Sequence, residues 1–457
     1  MTDPPEALGR TLRARHVTMI TVGGIIGAGL FVGSSTAIAT TGPAAVVSYT
    51  LSGLVILLIM RMLSELATAF PGTGSFTEFT RIGLGEWAGF TTGWLYWYFW
   101  VIVVPIEAIA GATILHGWIP AVAIWQLGLV LLTLMTGVNL MSARSFGEFE
   151  FWFSSIKVAA IIVFIAIAGA YACGITAPAG PTFGNLIGHG GFAPKGWLTV
   201  LAGVTSVIFS FVGAEITTIA AAESREGARA IARLASSVAL RILLFFVLSI
   251  FLIVSVVPWN EIHPGISPFA VALERIGIRG AATMMNLVVL TAVLSCLNSG
   301  IYVTSRVLFG LAAKGDAPQW LVVVNRRRVP TRAILAGAAF GYAAIGASVV
   351  SPGVVFSFLV NASGAIALVN YLLVVLAELR LRRALEAEAP EKLAIRMWFF
   401  PYASWAVAGV IVAVLVAMAA TPELQSQFFS SAVVVVIVLA AFALLRRRPV
   451  RALTTDS

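Results

Sequence analysis

Charge is what this sequence has least of. Asp, Glu, Lys and Arg make up 11% of it, against 59% hydrophobic residues and a mean hydropathy of +0.97. Soluble domains carry about 25% charge, so a chain of 457 residues with this composition cannot cover a globule with polar surface and needs lipid as its solvent. Cysteine is nearly missing too. Cys173 and Cys296 both lie in or beside apolar stretches, which suggests neither a disulfide framework nor a metal-ligand spacing. HExxH, GxSxG and paired intramembrane aspartates do not occur. A membrane-embedded enzyme needs such a nucleophile–base or metal pair at depth, so the chain reads as no enzyme. GxxxxGK[ST] is absent, which argues against ATP coupling in this chain, and no repeated filter residues suggest a channel. A cleavable leader is not expected, because 1–16 is polar and basic and the apolar stretch after it runs straight into others. His16, His116, His189 and His263 fall near stretch ends or in loops and carry no assigned chemistry.

What is there is apolar sequence in blocks near 20 residues, about twelve of them, from 17–40 to 428–445. The expected fold is an all-α integral membrane protein of about twelve transmembrane helices. Its parts would be a cytoplasmic N-terminal tail (1–16), a first unit of five spans (17–173), an external loop (174–196), a second unit of five (197–379), a cytoplasmic loop (380–398), two further spans (399–445) and a cytoplasmic C-terminal tail (446–457). With the N-terminus inside, 25 of the 29 Lys and Arg fall on the inner side, three (Lys195, Arg275, Arg279) outside, and Lys157 within a span. That asymmetry puts both termini in the cytoplasm and accounts for the net charge of +9 without nucleic acid. Arg326–Arg328 and Arg446–Arg448 read as anchors on anionic lipid. Glu148, Glu150, Glu223, Glu226 and Asp316 fall on the inner side, where pairing with Arg144, Arg225, Arg229 or Arg306 would form an inner gate. Arg61 and Glu65, four apart, form a candidate pair of their own.

Glycine interrupts the first and the sixth span at corresponding places. One interruption is Gly23-Gly24-Ile25-Ile26-Gly27-Ala28-Gly29, the other Phe209-Ser210-Phe211-Val212-Gly213-Ala214-Glu215. Glycine also serves close helix packing in membranes. A pair of broken segments in matching positions of two halves, however, points to a transporter's binding site and to five-plus-five inverted repeats of the leucine-transporter-like kind.

Several stretches carry a family resemblance. GIIGAGLFVG (24–33), GEFEFWFSSIKVAAI (147–161), FSFVGAEITTIAAAES (209–224), SCLNSGIYVTSRVLF (295–309) and GDAP (315–318) resemble the bacterial amino acid permease branch of the amino acid–polyamine–organocation superfamily. Within that branch, IMRMLSEL (59–66), GWLYWYFW (93–100), SGAIAL (363–368) and RMWFFP (396–401) are similar to the γ-aminobutyrate (GABA) permeases. The likeness covers nearly the whole chain.

The resemblance implies a secondary transporter in the cell membrane. It would import a zwitterionic amino acid, GABA or a related ω-amino acid, by alternating access and proton symport. Proline and aromatic permeases share most of these motifs, and exchange on the same fold stays open. No cofactor is implied beyond the proton gradient, and no partner beyond the substrate and the bilayer, for a monomer or weak oligomer. By resemblance, peptide N–H groups near Gly27, Ala28 and Gly29 would hold the substrate carboxylate, since a broken helix presents a positive dipole end and small residues let a ligand approach. Carbonyls of Ile25, Phe209 and Val212, beside Gly213, would take its ammonium group. Phe209 would gate the site, with Phe211 a second candidate. Glu215 would act in substrate binding and pH response, or else brace the break. Lys157 would bond carbonyls of the broken first span and carry the coupling proton, or else reach the cytoplasmic interface. Glu107, in the third span, is a carboxylate at depth and so a candidate proton site, an amine partner or the partner of a buried donor. Thr291, Ser295, Asn298 and Ser299 form a polar patch that faces either the cavity or a neighbouring helix.

Overall fold

The structure, a computed structural model, describes residues 12–27, 29–71, 75–222, 227–350, 354–355, 359, 363 and 365–446. Its order is helical throughout the described residues. α1 (Ala14–Ile25) gives way to a π turn, Gly29–Gly33, and then α2 (Ser34–Thr41). α3 (Ala45–Ala69), α4 (Phe76–Leu84), α5 (Glu86–Trp118), α6 (Ile124–Met141) and α7 (Ala143–Ala172) follow. After α8 (Asn185–Gly188), α9 (Trp197–Ile208) ends in a 3-10 turn, Phe209–Phe211, before α10 (Ile216–Ala222). Then come α11 (Gly227–Val256), α12 (Pro268–Ile276), α13 (Ala281–Ala313), α14 (Thr331–Ala347), α15 (Ile366–Glu388), α16 (Tyr402–Ala420) and α17 (Pro422–Arg446).

Eight helical stretches among the described residues are long and apolar enough to cross a membrane, the first running from Arg15 to Ala69 through its turns. The chain is a multi-pass membrane protein. α5 and α13, at 33 residues each, are about 50 Å long and pack along one another. α13 also touches α1, α6, α7 and α14, so it is the central post of the bundle. α16 and α17 stand outside that centre, and few residues of α17 are fully buried.

Helix ends outside the apolar core are set by local chemistry. Ser142 accepts the Ser145 N–H at 2.9 Å and starts α7 ahead of the apolar stretch. α12 opens with Pro268 and closes on Gly277 at φ +96°. Where α4, α5 and the end of α13 meet, Arg81 binds Glu86 and Asp316, lies 3.4 Å from Glu78, and Lys314 reaches Glu78 at 3.1 Å. Burial works against the Arg81 charge, but Asp316, Glu78 and Glu86 outweigh it and raise its pKa. Arg61 and Glu65 do not face one another as a pair. Glu65 takes Arg382 and the Met397 N–H, while Arg61 donates to the Arg396 carbonyl at 2.9 Å and covers the Trp398 ring.

Candidate functional site

The first interruption begins where α1 stops. Its last ladder bond is Ile26 N to the Val22 carbonyl at 2.9 Å, and Leu30 N next bonds the Gly27 carbonyl at 3.2 Å. The second spans Phe209 to Ile216. Gly213 lies in it at φ +117°, where a side chain would be strained. The two interruptions touch backbone to backbone. A Cβ on Gly213 would collide with the Gly24 carbonyl, and one on Gly24 would press on Ile216 and the Gly213 carbonyl. A turn away, the hydroxyls of Thr21 and Thr217 join α1 to α10 at 2.6 Å.

Between these interruptions, α5 and α13 lies a cavity of about 100 Å³. Pockets for drug-sized ligands run to roughly 300–1,000 Å³, so this one suits only a small molecule. Gly24, Ile25, Gly27 and Gly29 line it from one break, Ser210 and Val212 from the other. Gly27 leaves it open, since a Cβ there would meet nothing within 4 Å. Peptide groups displaced from a helical ladder need other partners, and at a helix break their dipoles suit a charged ligand. From α5 come Phe99, Trp100, Val103 and Glu107, and from α13 Cys296. Among the described residues Glu107 is the single carboxylate in the lining, and its Oε2 atom has no hydrogen-bond partner.

Lys157 reaches the same break from α7. It is fully buried, and Nζ donates to the carbonyls of Gly23 and Ile26 and to Ser295 Oγ, each at 2.8 Å. Those three acceptors use all three N–H bonds of an ammonium. Ser154, one turn from Lys157, adds a bond from Oγ to the Met19 carbonyl at 2.8 Å.

Several expected residues stand elsewhere. Glu215 is buried but does not line the cavity. Its carboxylate accepts from Tyr96 at 2.9 Å, Tyr371 at 2.7 Å and the Gly213 N–H at 3.1 Å, so it ties the second break to α5 and α15. A carboxylate two residues past a displaced N–H can reach back to it, and this geometry fits the bracing alternative for Glu215. Phe211 is not at the cavity either. Its ring packs on Tyr49 and Phe246, with centroids 6.2 and 4.7 Å away, because the 3-10 turn directs it toward α3 and α11. Ala28 lies outside the described residues, and so does the side chain of Phe209. Gly213 meets Gly24 rather than the open cavity.

Glu150 corrects another expectation. No arginine among the described residues bonds it, and the Arg225 and Arg229 side chains of the expected gate lie outside those residues. Glu150 is fully buried, accepting from Ser295 Oγ and from Asn298 Nδ2 at 3.3 Å, with Ser154 Oγ 3.2 Å away. Asn139 extends the chain, Nδ2 to Asn298 Oδ1 at 2.9 Å. Ser295 and Asn298 of the expected polar patch thus face α7, while Thr291 bonds its own helix at the Val288 carbonyl. The spacing of 150, 154 and 157 puts those side chains on one helix face, a signal present in the sequence. So is the spacing of Phe99, Val103 and Glu107 on α5. Trp100, Ser210 and Cys296 carried no comparable pattern.

Comparisons with known proteins agree with this architecture. The amino acid permease family matches residues 16–454. A γ-aminobutyric acid permease of Bacillus subtilis is 46% identical over 451 residues, 98% of this chain and 96% of that protein. One of Escherichia coli is 44% identical over 431 residues, 93% and 92% of the two chains. An aromatic amino acid transport protein of Corynebacterium glutamicum is 37% identical over 437 residues, 94% of each. With a family match over nearly its full length and relatives this similar, the chain belongs to the amino acid permease family and is a transport protein, not an enzyme.

Proposed function

We propose that this protein imports a zwitterionic amino acid, GABA or a related ω-amino acid, across the cell membrane by proton symport and alternating access. The observation that carries the reading is the small cavity between two helix interruptions, with a partnerless carboxylate oxygen of Glu107 in its wall. Peptide groups at the Gly27–Gly29 break receive the carboxylate. Carbonyls of Ile25, Phe209 and Val212, with Glu107, receive the amine. Each charge of a zwitterion then meets a fixed dipole or an opposite charge in a site with little water. The two GABA permeases at 46% and 44% identity support this substrate class. The aromatic transport protein at 37% favours a second reading, an α-amino acid permease on the same fold.

Twelve spans arranged as two inverted units of five plus two account for the paired interruptions, α1–α2 opening the first unit and α9–α10 the second. The excess of Lys and Arg on one side supports cytoplasmic termini. Lys157 is the coupling residue. Its bonds to Gly23 and Ile26 tie its protonation to the position of the broken helix, so loss of the proton frees α1 to move. Glu215 serves the site by holding the second break.

Purified protein in liposomes, offered a panel of labelled amino acids with and without an inward proton gradient, tests the reading. GABA should accumulate only with the gradient, and ω-amino acids should compete best. Gradient-independent uptake, or a clear preference for an α-amino acid, would overturn the coupling or the substrate.

A further inference from the structure

Glu150 and Lys157 lie two turns apart on α7, both wholly out of reach of solvent. Lys157 spends its three N–H bonds on neutral acceptors. Those bonds do not cancel the charge, and an ammonium at membrane depth needs a counter-charge. Ser295 supplies the link, because its Oγ accepts from Lys157 Nζ at 2.8 Å and donates to Glu150 Oε1. Asn298 Nδ2 donates to the other carboxylate oxygen at 3.3 Å, and Asn139 fixes Asn298. Among the other titratable groups around Glu150, α13 contributes Cys296, with Glu107 of α5 beyond it. Among the described residues the nearby basic groups are engaged elsewhere, His16 of α1 with Glu148 at 3.1 Å. Arg15 pairs with Glu148 at 2.7 Å, and Arg306 lies over the Tyr302 ring. α1 covers the pair with a glycine. A Cβ on Gly23 would overlap Glu150 Oε1, Ser154 Oγ and Ser295 Oγ.

We propose that Glu150 is the proton-accepting partner of Lys157 and receives the coupling proton through Ser295. The inference rests on the proton-symport reading above and adds a residue to it. In the step, an N–H bond of Lys157 breaks as Ser295 Oγ takes its proton. The Ser295 O–H bond breaks as Glu150 Oε1 takes that one. Lysine and glutamate end neutral, the serine is unchanged, and no net charge moves out of the buried site. A hydroxyl that accepts from the donor and donates to the acceptor is already oriented for this transfer. Glu150 lies about 10 Å nearer the start of α7 than Lys157 does, so the proton advances toward that end. Withdrawal of Gly23 with α1 uncovers Glu150 and lets it release the proton to water.

The test uses full-length protein in liposomes with labelled GABA, read as gradient-driven accumulation and as counterflow exchange without a gradient. Wild type is measured first, and a wild type indifferent to the gradient overturns the symport reading and this inference with it. With a responsive wild type, Glu150→Gln should lose accumulation and keep exchange, and Glu150→Asp should regain part of the accumulation. Accumulation at the wild-type level in Glu150→Gln overturns the relay alone. So does loss of exchange in both Glu150 variants, which would make the carboxylate a brace for α1.

Discussion

Glycines at the two interruptions differ in what surrounds them, and so does the chemistry each allows. Gly23 faces the Glu150 carboxylate, Gly24 the Gly213 carbonyl, and Gly27 only open space. Glu215 answers the same break with a side chain, taking three donors and no cation. A buried carboxylate held this way braces structure. Glu215→Gln sets an amide N–H against one of those donors and should cost about 1–3 kcal/mol of stability. Thermal unfolding of the purified protein checks this, and GABA affinity should change far less than melting temperature. The sequence placed Glu215 at the second break but put Glu150 on the inner side, since it precedes the apolar stretch. The face shared by 150, 154 and 157 was legible, but the partner on α13 was not, because residues 145 positions apart in the chain meet only through the fold.

At the scale of elements, the interruptions work as a pair because their backbones abut. Gly213→Ala should therefore fail twice, through its positive φ and through overlap with the Gly24 carbonyl. A loss of roughly 2–4 kcal/mol is expected from strain and overpacking together, seen as a lowered melting temperature with loss of uptake. Gly137→Ala, mid-helix in α6 with nothing within 4 Å of the new methyl, should leave both intact or raise stability slightly. Both breaks were readable from glycine spacing in apolar sequence. Helix ends were not. α3 runs to Ala69, α7 starts at Ala143 and α15 runs to Glu388, each beyond its apolar stretch. Hydropathy stops at the edge of lipid, while backbone hydrogen bonding and caps such as Ser142 carry a helix on into water. The short α4, α8 and α12 lie within connections for the same reason.

For the whole molecule, composition dictated a membrane solvent, and the distribution of Lys and Arg supports the proposed orientation. Cys173, exposed at the end of α7, is a natural reporter of that orientation. A membrane-impermeant maleimide should label it in intact cells, whereas labelling only after lysis would reverse the topology. Cys296 is buried and should stay unlabelled in the folded protein. The central claim is that substrate sits between the two interruptions. Gly27 offers the most direct probe, because it lines the cavity and a Cβ there would meet nothing within 4 Å. Equilibrium binding of labelled GABA to purified wild type and Gly27→Leu, with melting temperatures recorded alongside, is the decisive measurement. The variant should melt like wild type and bind no GABA; a well-folded variant that binds GABA as wild type does would contradict the claim.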